Sequence, residues 1–187
     1  SFGVPLPFSP SPRGTPELGL SYDSGGGNSP FGLGWSVGVP AITRKTDKKI
    51  PEYLDSEDSD LFLLSGAEDL VPTLNGSTRV MSSSTLGTVT TKLERFRPRT
   101  EGMFSIIERV TVVDTGTSPS KNVYWRATTR DNVRSTFGSS SATRIEDPNP
   151  AFGHKIYSWL LEKTEDDRGN VVLYQYKAEN RDNEPVG

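Results

Sequence analysis

The sequence contains no cysteine, which excludes disulfide staples and thiolate zinc sites at the outset. It carries one histidine, His154, in Phe152-Gly153-His154-Lys155. Catalysis or metal binding through that imidazole needs convergent partners, and no neighbouring Cys, Asp or second His is spaced to supply them, so it reads as a structural or surface residue. A dominant charge sign is also missing. The 21 basic and 24 acidic residues leave a net charge of −3 with no long run of either sign, so the basic patch of a nucleic-acid binder is absent. No stretch reaches the roughly 18 consecutive apolar residues of a membrane span, and Ser1 to Pro16 lack the basic start and apolar middle of a secretory signal. Apolar residues are themselves scarce. They make up 32% of the chain, or just over two fifths with the 18 glycines counted, against roughly 45–50% in an average globular chain. That balance fits a thin sheet with one wet face, or a piece that buries its remainder against further chain. The length, 187 residues, accommodates one substantial domain or two small ones.

What is present is β-forming. Residues 1–16 hold Pro5, Pro7, Pro10, Pro12 and Pro16, which fix φ and remove donors, so an extended lead-in is expected and a helix excluded. Leu18, Leu20 and Tyr22 alternate with Gly19 and Ser21 as in a half-buried strand. The cluster Asp23 to Pro30, with Gly25, Gly26, Gly27 and Asn28, reads as a structural turn able to supply positive φ at almost every step. Leu33, Trp35, Val37 and Val39 then share one parity opposite Gly32, Gly34, Ser36 and Gly38, a pattern that suits close approach of another backbone. Ala41 to Thr46 is a second β stretch, and the acidic run Asp55, Glu57, Asp58, Asp60 is expected to be a solvated loop. Leu61–Leu64 and Leu70-Val71 are short strands around a turn. Asn75 to Thr91, rich in Ser, Thr and Gly, reads mostly as loop with short strands. Phe104, Ile106, Val110 and Val112 form the clearest amphipathic strand, with the even positions expected to face the core.

Two later segments resemble each other. Val123, Trp125 and Ala127 lead through Asp131-Asn132 into Val133–Phe137, and Tyr157, Trp159 and Leu161 lead through Asp166 to Asn170 into Val172, Tyr174 and Tyr176. Each is an aromatic strand, a turn and a returning strand, so a degenerate hairpin repeat is expected over residues 120–180, one whose copies stack because none buries its own face. Trp35, Trp125 and Trp159 are the expected packing anchors.

Chemistry is sought with little result. The glycine stretch lacks the Gly-Lys-Ser/Thr ending of a P-loop and the G-x-G-x-x-G order of a dinucleotide site, and no helix follows it. Counted as a calcium loop from Asp55, Asp60 stands where Gly is required and Gly66 where a bidentate Glu is required. The serine runs at 82–84 and 139–141 have no identifiable base, and Asp166 with Asp167 suits a turn. The expectation is therefore no catalytic residue, no cofactor and no metal site.

Pro10 to Asn28, Phe31-Gly32-Leu33-Gly34-Trp35-Ser36, Ile42-Thr43-Arg44-Lys45-Thr46, Asp60-Leu61-Phe62 and Leu64 to Pro72 together resemble the start of the SpvB-type domain. Phe96 to Phe104 and Asp166 to Tyr176 are similar to its remainder and to the hairpin style of RHS repeats. The resemblance implies an all-β fold of antiparallel hairpins forming part of an RHS-like shell, with 1–187 as one domain lacking its C-terminal part. It also implies a non-enzymatic N-terminal module of a secreted bacterial toxin or virulence protein. Such domains precede an actin-modifying ADP-ribosyltransferase or belong to the B component of insecticidal toxin complexes, where the shell encloses a cytotoxic cargo. Partners implied are the downstream RHS-repeat chain and the C component, with a pore-forming A component met indirectly. Nucleic acid and a membrane span are not implied. The transferase pattern needs a Glu-x-Glu pair, and this chain has none. The implied location is extracellular, after a cytoplasmic stage. Two alternatives stay open: a glycan- or protein-binding β module, and the N-terminal domain of an actin ADP-ribosyltransferase toxin whose catalytic domain is absent here.

Overall fold

A computed structural model describes residues 2–7, 18–27, 29, 31–47, 49–55, 57, 59–66, 68–99, 104–118, 120–149 and 155–177, with residues 104 and 105 described through their backbone. Among these residues the regular structure is sixteen β-strands and one three-residue 3-10 turn at Ser141–Thr143. Asn28, His154 and most of the proline-rich lead-in lie outside the described residues.

The first three strands, β1 (Phe2–Pro5), β2 (Gly19–Tyr22) and β3 (Trp35–Val37), form a separate antiparallel sheet. The chain then enters a larger sheet through β4 (Ala41–Arg44), β5 (Phe62–Leu64) and β6 (Glu68–Pro72). A small hairpin, β7 (Leu74–Asn75) with β8 (Thr78–Arg79), leads to β9 (Met81–Leu86) and β10 (Val89–Pro98). The remaining strands are β11 (Phe104–Asp114), β12 (Ser120–Thr129), β13 (Arg134–Phe137), β14 (Arg144–Glu146), β15 (Ile156–Glu165) and β16 (Val171–Leu173).

The large sheet closes on itself. Going round, β10, β11, β12, β13, β15, β4, β5 and β6 are each hydrogen-bonded to the next, and β6 returns to β10 through Phe96↔Pro72, Arg97↔Val71 and Pro98↔Leu70. Eight strands give an interior that side chains alone can fill. Closure also answers the scarcity of apolar residues. Rolled into a barrel, the sheet keeps one wet face and gives its inner face a dry side that few residues suffice to pack.

The interior follows the register. Ile42 opposes Leu64 and Trp159, Phe62 opposes Leu70, Phe96 opposes Ile107, and Trp125 opposes Phe137. Trp125 and Trp159 are both 0% exposed. With Phe62 and Phe96 they make five edge-to-face ring contacts at centroid distances of 4.9–6.1 Å, the geometry that the ring quadrupoles favour. The Trp159 indole also donates to the Val123 carbonyl at 2.8 Å. Gly138 has φ +61° and lies so close to Trp159 that a Cβ there would stand 2.4 Å from the indole Cδ1. Only glycine serves both demands at that position.

Two expectations are corrected. Residues 75–91 are mostly strand: β9 pairs with the start of β10 from Leu86↔Val89 to Met81↔Glu94, around a turn in which Gly87 takes φ +60°. All six residues of β9 are exposed, so neither face has an apolar stripe and the ladder alone holds it. In β11 the core face is the odd parity, carrying Ile107 and Arg109 opposite Ala127 and Trp125. The even parity faces outward, although Val110 on it is wholly buried outside the aromatic core. The physical reason is that the barrel reserves an inward place for Arg109, which apolar periodicity does not reveal.

Candidate functional site

One end of the barrel interior is occupied by charge. Arg44, 2% exposed, follows Ile42 on the inward parity of β4, and Arg109 does the same after Ile107 on β11. The Arg44 guanidinium donates to both Asp55 carboxylate oxygens at 2.7 and 3.1 Å, to Asp60 Oδ2 at 2.8 Å and to the Ile156 carbonyl at 2.7 Å. Arg109 donates to Glu94 Oε2 from Nε at 2.9 Å, its Nη2 pairs with the same oxygen at 2.8 Å, and its Nη1 lies 3.6 Å from Asp55. Lys92 approaches the other Glu94 oxygen at 3.2 Å. Three cations thus face three carboxylates. The guanidiniums also stack on the core, Arg44 over Tyr53, Phe62 and Trp159 and Arg109 over Phe62 and Phe96, at 4.8–5.6 Å, where cation–π attraction is strongest once water is excluded.

This arrangement corrects the reading of the acidic run as a solvated loop at Asp55 and Asp60, while Glu57 is exposed and Asp58 lies outside the described residues. Asp60 is buried and accepts the backbone N–H groups of Glu52 and Tyr53, both at 2.9 Å, which pins the β4–β5 connection over the barrel end. Burial pushes the Asp60 carboxyl up, but those two amides and Arg44 outweigh it and hold it below its ordinary value. Burial likewise pushes Glu94 up, and Arg109 with Lys92 brings it below its ordinary value. Asp60 and Glu94 are thus both held in the charged form and engaged by cations, so neither is poised to give or take a proton near neutrality.

The serine run at 139–141 is likewise engaged. Glu162 Oε2 accepts from Ser139 N at 2.6 Å, Ser139 Oγ at 2.8 Å, Ser140 N at 3.2 Å and Thr143 Oγ1 at 2.9 Å. Burial raises the Glu162 carboxyl and these donors more than reverse it. The serines lock a loop to β15. Sequence reasoning missed Glu162 because a single acid on a strand carries no pattern. Asp166 closes the β15–β16 turn by accepting from Arg168 N and Asn170 N, both at 2.9 Å.

The residues of the glycine turn and the tryptophans fall into two places. Gly25 and Gly26 belong to the connection between β2 and β3, where Asp23 accepts from both backbone amides. Positive φ occurs at Gly32 and Gly34 instead of at Gly25, Gly26 or Gly27. Gly26 serves close approach, since its Cβ would lie 3.2 Å from Gly34 Cα. Trp35 packs against Phe2 and Tyr22 in the three-stranded sheet, at 6.4 and 5.3 Å, and is half-buried. Trp125 and Trp159 meet in the barrel, 6.1 Å apart. Among the described residues no group of three or more His, Cys, Asp or Glu is placed to hold a metal ion, and no helix is long and apolar enough to cross a membrane.

The family model for the Salmonella virulence plasmid 65kDa B protein, SpvB, matches residues 1–186. The chain belongs to this family. It is 34% identical over 189 aligned residues to the mono(ADP-ribosyl)transferase SpvB of Salmonella typhimurium, an alignment covering 98% of the chain and 30% of that protein. The Salmonella dublin protein of the same name matches to the same extent. The chain therefore spans about a third of the curated relatives it matches. The solved N-terminal domain of the effector protein SpvB from Salmonella typhimurium superimposes with a TM-score of 0.75 at 34% identity, over 98% of this chain and 56% of that one. The TcdB2–TccC3 structure aligns with a TM-score of 0.75 at 31% identity, over 96% of this chain and 8% of that one. The Photorhabdus luminescens Tc holotoxin pore aligns at 0.74 and 30% identity, over 95% and 8%. The chain thus shares an all-β module with a virulence effector and with toxin complexes, and it matches the solved N-terminal domain of the effector protein SpvB.

Proposed function

We propose that this chain is a structural, non-enzymatic part of a secreted bacterial toxin or virulence protein, contributing to a β shell that encloses a cytotoxic cargo. The observation that carries the reading is the barrel interior. It is filled by four aromatic rings in edge-to-face contact and closed at one end by an ion-pair network whose carboxylates and guanidiniums are engaged with one another. On this reading residues 1–187 act as one unit, residues 120–180 are RHS-like hairpins, and Trp125 and Trp159 are the anchors that fix their spacing. Gly25, Gly26, Gly27 and Asn28 then serve as a structural turn in the sheet anchored by Trp35. The working partners are a downstream RHS-repeat chain and a cargo-bearing C component, with a pore-forming A component reached through them. The protein works outside the producing cell after a cytoplasmic stage.

The test is cargo protection. In the full-length protein assembled with its cargo-bearing partner, Trp159→Ala is expected to make the enclosed cargo sensitive to added protease while the cargo stays intact in the parent complex. Equal protection in both, or NAD-consuming activity that maps to this chain, would overturn the proposal.

A further inference from the structure

On the outer wall of the barrel, β6 and β10 pair only as far as Phe96↔Pro72. The chain then leaves the wall at Thr73, whose N–H donates to the Arg95 carbonyl, and rejoins it at Val80, whose carbonyl accepts from Arg95 N. Between these points the β7–β8 hairpin stands away from the wall. The space it leaves is a cleft of about 460 Å³ lined by Val71, Pro72, Leu74, Arg79, Arg97 and Arg99, within the range of pockets that take ligands, roughly 300–1,000 Å³. Among the described residues that line it, Val71, Pro72 and Leu74 make an apolar floor and the charged side chains are three guanidiniums. In a chain of net charge −3, that is a local concentration of positive charge.

The register explains why the arginines gather. Phe96 faces the core, so its neighbours Arg95 and Arg97 point outward, and Val71 is the cross-strand partner of Arg97. Arg95 has Glu108 at 3.8 Å and Arg99 has Asp69 at 3.6 Å, with Asp69 already held by Lys45 at 2.7 Å. Arg97, between them, is exposed and has no ion-pair partner among the described residues. A guanidinium presents a planar fork of donors that matches a carboxylate.

We propose that this cleft docks an acidic peptide segment of a partner chain. The segment seats an apolar side chain on Val71, Pro72 and Leu74 and sets the flanking carboxylates against Arg97 and Arg99. Charge complementarity and the apolar floor select this occupant together. A nucleic acid strand would need a longer basic track and aromatic faces for its bases, and among the described residues no aromatic lines the cleft.

The test uses the full-length protein and a fluorescein-labelled peptide of sequence Glu-Glu-Leu-Glu-Glu, read by fluorescence anisotropy. Saturable binding is expected, with affinity about tenfold weaker when Gly replaces Leu. Affinity should also fall about tenfold in Arg97→Glu, with partial retention in Arg97→Lys. Because Arg97 is exposed, the melting temperature of these variants should match the parent, so lost binding reports the site and not the fold. Absence of saturable binding, equal affinity in Arg97→Glu, or tighter binding of an oligothymidylate of the same charge would each overturn the proposal. Cargo protection is expected to survive Arg97→Glu, so this docking site and the shell reading fail separately.

Discussion

Trp159 and Trp35 both lie on strands beside another aromatic ring, yet their surroundings differ. Trp159 is wholly buried, touches two aromatic rings, donates its indole N–H at 2.8 Å and leans on Gly138. Trp35 is half-buried on a three-stranded sheet whose other aromatic residues, Phe2 and Tyr22, are exposed. The difference is closure. A barrel supplies neighbours on every side of an inward ring, whereas a short open sheet supplies them on one side only. Small open sheets are marginal by themselves, so this chain carries its stability in the barrel and presents the β1–β3 sheet as an attached, more open element.

The largest expected effect separates the two places directly. Trp159→Ala should lower the unfolding free energy by about 3–5 kcal/mol, the range for emptying a large aromatic site in a packed core. Trp35→Ala should cost no more than about 1 kcal/mol in the same denaturant titration, because a half-exposed ring has less to lose. A smaller change sharpens the role of the charged barrel end. Glu94→Gln should cost about 2 kcal/mol near neutral pH, below the roughly 3–5 of a fully broken buried pair, because Arg109 keeps Asp55 at 3.6 Å. Asp60 and Glu94 are both held below their ordinary values in the folded chain. Their contribution is therefore present above the unfolded carboxylate range near pH 4 and is lost as pH falls through the lower folded values. Acid titration of stability should show that loss in the parent and less of it in Glu94→Gln. The smallest effect belongs to the exposed β9–β10 flap: Leu86→Ser, at a residue 87% exposed, should stay within about 0.5 kcal/mol.

Local pattern made part of this architecture legible. Alternation around Leu20 and Trp35, and short β-forming runs around Ile42 and Phe62, marked strands that the structure contains, and the Asp166 turn followed from its own composition. Barrel closure was not legible, because Trp159↔Ile42 and Phe96↔Pro72 join strands that lie far apart in the chain or are separated by a hairpin. Nor was the ion-pair network. A buried arginine on a strand looks like an outward residue until its carboxylates arrive from elsewhere, Asp60 from a loop and Glu94 from the next strand of a hairpin. The same blindness reversed the face of β11. The family resemblance reached further than periodicity because it rests on the order of whole motifs, from Pro10 to Pro72 and again at Phe96–Phe104 and Asp166–Tyr176, and the family model matches residues 1–186.

The comparison is tested most directly by residue-resolved hydrogen exchange on the 187-residue chain. Amides of the eight barrel strands should exchange only through global unfolding, and those of β1–β3 should exchange earlier through a local opening. Uniformly fast exchange, showing that the barrel cannot hold its own core, or protection of β1–β3 equal to that of the barrel, would contradict this account.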